Sequence, residues 1–137
     1  MARRRLSHEG TLVLDSEGLA KLLADEEQVV ALIAEARSRG MEVVISALTI
    51  IEAVHARTNK SRLNRVLSGL RVVPVGDEEA RAASKVLMNA GWHGHQYAID
   101  AAVAEAALRQ RRPVVMLTSD IDDMAKLCGE RVRLVAV

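Results

Sequence analysis

Five short runs of aliphatic and β-branched residues are spaced along the chain, and between them the apolar residues switch to a helical period. The runs are Thr11-Leu12-Val13-Leu14-Asp15, Glu42–Ile45, Arg71–Val75, Pro113–Leu117 and Val132–Val137. Strands alternating with helices through short turns predict an α/β fold, a three-layer sandwich with a mainly parallel five-stranded sheet. Pro74 points to an edge position for the third strand, because proline cannot donate to a ladder. Helices are expected around Leu19–Leu23, from the acidic turn Asp25-Glu26-Glu27 to near Gly40, and from about Ala47 to Ala56. Others follow over Asn59–Leu67, from a cap at Asp77 to Asn89-Ala90-Gly91, over an Ala-rich stretch from Tyr97 to Arg109, and from Asp120 to Cys128. Trp92–Gln96 reads as a loop.

At 137 residues the chain suits one domain, expected over residues 11–137, after a flexible basic tip over residues 1–10 that carries Arg3-Arg4-Arg5. Ser7-His8-Glu9-Gly10 interrupts any signal-peptide apolar core, and no apolar run is long enough for a membrane span. A single cysteine, Cys128, allows neither an internal disulfide nor a structural zinc cluster, which fits a cytoplasmic location. The net charge of +1 gives no global pull on nucleic acid, and one Trp, one Tyr and no Phe supply little for base stacking.

The chemistry-bearing residues are acidic. Asp15 ends the first strand, Glu52 lies about a turn into the helix after the second, Asp100 sits in the Ala-rich helix, and Asp120 follows the fourth strand. Each has a purely structural reading. Asp15 and Asp120 could cap the next helix, and Thr49-x-x-Glu52 matches a capping box. Asp100 is the most telling, because Ile99, Val103, Ala104 and Ala107 mark a face meant for burial, where an unpaired carboxylate is costly.

Strand ends and helix starts of such folds converge on one crevice. Carboxylates gathered there repel and raise one another's pKa unless cations fill the site. Hard oxygen donors suit Mg²⁺ or Mn²⁺, which can promote phosphodiester hydrolysis. Thr118 and Ser119 could orient a phosphate or water, or be turn residues. Arg57, Lys60, Arg62 and Arg65 could track a phosphate backbone, or form a solvated charged face. No GxGxxG or GxxxxGK[ST] provides a phosphate cradle. His93-x-His95 reads as a surface loop, and Cys128 as a small core residue.

Leu14-Asp15-Ser16 after an apolar strand, Ser46…Glu52, Ile99-Asp100-Ala101-Ala102-Val103-Ala104 and Thr118-Ser119-Asp120 together resemble PIN-domain proteins. Among these the likeness is to the compact VapC-type toxins of bacterial toxin–antitoxin systems. The resemblance covers about residues 11 to 137 and implies strand order 3-2-1-4-5. It further implies a Mg²⁺- or Mn²⁺-dependent endoribonuclease with catalytic Asp15, Glu52, Asp100 and Asp120. Asp15, Asp100 and Asp120 are then expected as metal ligands, with Thr118, Ser119 and Asp123 auxiliary. A homodimer and a cognate antitoxin that covers the site are implied as partners. Met124 stands where the family often has an aromatic residue. The alternatives are a catalytically silent module on the same fold, gripping a basic partner peptide in its acidic pocket, and a receiver-type phosphoacceptor domain. The latter lacks an Asp ending strand three and a Lys ending strand five.

Overall fold

The computed structural model describes residues 9–137; the basic residues of the expected N-terminal tip, Arg3 to Arg5, lie outside them. Among the described residues five strands form one parallel sheet in the order β3-β2-β1-β4-β5. They are β1 (Thr11–Leu14), β2 (Glu42–Ser46), β3 (Arg71–Val73), β4 (Val114–Thr118) and β5 (Val132–Ala136). The helices are α1 (Ser16–Leu23), α2 (Glu27–Ser38), α3 (Ala47–Ala53), α4 (Lys60–Ser68), α5 (Asp77–Ala90), α6 (Gly94–Leu108) and α7 (Ile121–Cys128). None is long and apolar enough to cross a membrane.

β1 is central and wholly buried, as its uninterrupted apolar run requires. Successive side chains of a strand point to opposite faces. Leu12 and Leu14 therefore join Leu19, Val29 and Ile33 of α1 and α2 in one core, and Val13 joins the α5–α6–α7 core on the other face. Truncating a fully buried leucine such as Leu14 to alanine costs about 2–5 kcal/mol. Gly18 lets α1 press against β4, since a Cβ there would meet the Leu117 carbonyl oxygen at 3.2 Å.

Four local expectations are corrected. β3 lies at the sheet edge, but it ends at Val73 and leaves Pro74 outside. Asp77 is the first residue of α5 and not its cap; the cap is Gly76, whose N–H donates to Glu79 Oε1 at 2.7 Å. α3 stops at Ala53 rather than Ala56. The loop expected over Trp92–Gln96 is shorter, because α6 already starts at Gly94 and bends at Tyr97 (φ −118°, ψ 19°).

From Ala101 to Ala107 every residue of α6 is buried. A segment apolar apart from Glu105, which pairs with Arg109 at 2.8 Å, belongs inside, and its small side chains let it lie close against both α5 and the sheet. Asp100 occupies the last position before this buried segment.

Candidate active site

Asp15 follows β1 directly, and it is both a helix cap and a buried acid. It is 4% exposed, and its Oδ1 accepts the Gly18 N–H at 2.9 Å, capping α1. Burial pushes its pKa up. Hydrogen bonds from the Thr118 side chain and the Gly18 N–H hold it down, and the charge of Asp120 pushes it up again.

Thr118 ends β4 and is completely buried. Its Oγ1 accepts the Asp120 N–H at 2.9 Å, so one hydroxyl ties the ends of β1 and β4 together. Asp120 occupies the N-cap position of α7, yet its side chain makes no capping hydrogen bond. The capping role that would explain it structurally is absent, and its exposed carboxylate is free for other work. Ser119, Asp120, Asp122 and Asp123 line a shallow groove at this end of the sheet.

The capping box at Glu52 is not formed. α3 is capped by Ser46, whose Oγ accepts the Leu48 N–H at 3.3 Å, while Thr49 lies inside the helix. Thr49 is fully buried, and its Oγ1 has no hydrogen-bond partner among the described residues. Glu52 is exposed and has no structural duty in the helix start.

Asp100 draws these residues together. Its carboxyl is half-buried, and its pKa is pushed up from the ordinary value of 3.8 to about 6. Desolvation is the largest cause, followed by the charges of Glu52, Asp120, Asp123 and Asp15. Glu52, Asp120, Asp123 and Asp15 thus each lie within electrostatic reach of Asp100. No lysine or arginine forms an ion pair with any of the five among the described residues.

Such a donor set fits a hard divalent cation, being all oxygen, partly desolvated and uncompensated. Among the described residues, however, no three His, Cys, Asp or Glu side chains already stand together as a set that could hold an ion. Like charges without a cation keep apart, and Mg²⁺ commonly takes one or two carboxylates and keeps several waters. The rim therefore has the chemistry of a cation site without the closed geometry of a cage.

The basic candidates divide. Arg62 donates to Leu23 O at 2.7 Å and Leu22 O at 3.0 Å, and it pairs with Asp25 at 3.3 Å, so its guanidinium closes the end of α1. Arg57, Lys60 and Arg65 are exposed. Arg57 shares a cleft with His55, Thr58 and Asn59 of the α3–α4 turn, floored by Ala53, the neighbour of Glu52. Cys128 is a buried core residue whose thiol is pushed up to about 11 by burial, which removes it as a nucleophile at neutral pH.

Two side chains that the sequence assigned to a loop stand at the site. His95 and Gln96, in the first turn of α6, line a groove with Glu52, Ala98, Ile99 and Asp100. The signal for them was their spacing of five and four residues before Asp100, which has meaning only once the helix is known to start at Gly94.

A family model described as PIN domain matches residues 12–129. No curated protein is significantly similar in sequence. Among solved structures, VapBC2 from Rickettsia felis bound to a DNA fragment from their promoter is similar, with TM-score 0.68, 13% identity, and coverage of 93% of this chain and 98% of that one. A FitAB structure bound to an IR36 DNA fragment has TM-score 0.67 and 19% identity, covering 92% and 94%. A toxin–antitoxin complex from Klebsiella pneumoniae has TM-score 0.68 and 14% identity, covering 89% and 95%. At these identities the likeness is one of fold.

Proposed function

The chain belongs to the PIN domain family, and from that premise we propose that it is a Mg²⁺- or Mn²⁺-dependent endoribonuclease, the toxin of a toxin–antitoxin pair. The observation that carries this reading is Asp100, whose carboxyl is raised to about 6 by burial and by the charges of four other acids. A fold gains nothing by gathering like charges unless a cation answers them.

In this reading Asp15, Asp100 and Asp120 would hold the metal, which would supply an activated water and charge stabilisation for the scissile phosphate. The protein's own part is positional. Thr118 fixes the Asp15 carboxylate and the start of α7, and Glu52 stands at the open side of the site to orient water and accept its proton. Ser119 and Asp123 border the groove where the phosphate lies. Arg57, Lys60 and Arg65 carry the RNA backbone away from the acidic rim, while Arg62 serves the fold.

The functional unit is a single domain over residues 11–137, working as a cytoplasmic homodimer and silenced by an antitoxin that covers the carboxylates. The partner assignment is supported by the solved relatives, of which the Klebsiella pneumoniae structure is a toxin–antitoxin complex.

One observation favours a second reading. The carboxylates are not already assembled as an ion-holding set, which suits a silent module that grips a basic peptide. Purified protein incubated with RNA separates the two. Cleavage is expected only with Mg²⁺ or Mn²⁺, lost with chelator and lost in Asp15→Asn and Asp100→Asn. Wild-type cleavage by both variants overturns the nuclease reading. Tight peptide binding without metal uptake in calorimetry establishes the second.

A further inference from the structure

The first turn of α6 is set off from the rest of the helix by the bend at Tyr97, and two contacts hold it. The Tyr97 ring stacks on Trp92 with centroids 4.2 Å apart and planes 20° apart. Lys126 of α7 places its Nζ 5.0 Å from the Trp92 ring centroid. A stacked aromatic pair with a cation over it is a stiff element, and it joins this turn to the helix that begins just after Asp120.

The turn so held presents His95 and Gln96, both exposed, on the wall of the groove that contains Glu52 and Asp100. Neither side chain has a hydrogen bond or ion pair among the described residues, so the fold makes no use of them. Their chemistry limits what they can meet. Backbone phosphates are gripped by lysine and arginine, and beside Glu52 and Asp100 a phosphate is repelled wherever a cation does not hold it. A nucleobase carries no charge and suffers no such repulsion. An imidazole ring can stack on a base, and an amide offers a donor and an acceptor to its edge.

We infer that His95 and Gln96 form a shelf that reads the nucleobase beside the scissile phosphate of single-stranded RNA, and so set the cleavage-site preference. The inference rests on the endoribonuclease reading above and names its substrate class. Single strands are required because only an unpaired base can turn its edge into such a groove.

The test is cleavage of a randomised single-stranded RNA pool with Mn²⁺, with cut sites mapped by sequencing, for wild type, His95→Ala and Gln96→Ala. Wild type is expected to prefer particular bases at one position flanking the cut, and each variant to flatten that preference about tenfold. An abasic nucleotide at that position should make wild type and variants equal. Identical preference profiles overturn the inference, as does an equal loss on normal and abasic substrates, which places the residues in the chemistry instead. A wild type that cleaves no RNA removes the endoribonuclease reading, and a second readout still decides the shelf. In the Asp120→Asn background, anisotropy with a labelled random-sequence single-stranded oligonucleotide should show about tenfold weaker binding when His95→Ala is added. Equal affinities overturn the shelf whatever the activity.

Discussion

The Asp120 N–H donates to Thr118 Oγ1 at 2.9 Å, which leaves the hydroxyl proton for Asp15, whose pKa Thr118 holds down. A single buried hydroxyl therefore sets the position of one proposed metal ligand and the charge state of another. Thr118→Val keeps the shape and removes both bonds. The variant is expected to lose about 1–2 kcal/mol of stability in urea unfolding. Its affinity for Mn²⁺ at pH 7 should fall in calorimetry, because Asp15 then ionises less readily, and Thr118→Ser should recover most of both. Metal affinity unchanged in Thr118→Val would show that the hydroxyl has no such role.

Asp100 is expected to make stability and metal binding respond oppositely to pH. Its folded pKa of about 6 lies above its ordinary 3.8, so the folded state binds the proton more tightly. That contribution is fully present below about pH 4 and is lost as pH rises through about 6. In chelator, wild type should be less stable at pH 8 than at pH 5 by about 1 kcal/mol, the shift being shared among coupled, half-buried acids. Asp100→Asn should remove most of that difference and exceed wild type in stability at pH 8. Metal binding should show the reverse trend, rising as pH passes about 6 in wild type and absent in the variant. Parallel urea curves for both proteins at both pH values would refute the coupling.

Asp120 and Asp15 occupy the same kind of position and differ in what the fold takes from them. Asp15 accepts a capping hydrogen bond and Asp120 does not. Asp15→Ala is expected to lose about 1 kcal/mol from the cap, offset in part because a buried acid is removed. Asp120→Ala should stay within about 0.5 kcal/mol of wild type. Both should lose RNA cleavage by 100-fold or more. A large destabilisation in Asp120→Ala would mean that the residue is structural after all.

These contrasts show where the sequence was readable. Leu12 to Leu14, apolar at every position, could only be a strand covered on both faces, and Asp100 stood out because burying a carboxylate is costly. The sequence offers Thr49 as a cap of α3 because Ser46 and Thr49 are both hydroxyl residues three apart, and the choice depends on where β2 lets go of the sheet, a tertiary matter. The start of α6 was missed for a similar reason. Gly94 is a poor helix former, and what orders the turn is the Trp92–Tyr97 stack, which no local pattern announces. Hence the acids were legible one by one, and their convergence needed the topology.

The sequence groups Arg62 with Arg57, Lys60 and Arg65 as RNA-backbone candidates, since charge in a sequence does not reveal what it is bonded to. Its guanidinium meets the Leu22 and Leu23 carbonyls at the end of α1 and the Asp25 carboxylate. Those carbonyls end α1 and attract a cation; Leu22 O also accepts the Asp25 N–H at 3.0 Å, and Asp25 holds a left-handed backbone (φ 60°). Arg62→Ala leaves these acceptors without the guanidinium, so a loss of about 1–3 kcal/mol is expected in urea unfolding. Arg62→Lys should recover only part of it, because an ammonium cannot reproduce the planar fork. Lys60→Ala and Arg65→Ala should leave stability within about 0.5 kcal/mol of wild type, while weakening RNA binding and flattening its salt dependence, by about one phosphate contact each. If Arg62→Ala instead weakens RNA binding at unchanged stability, the guanidinium belongs to the RNA surface and not to α1.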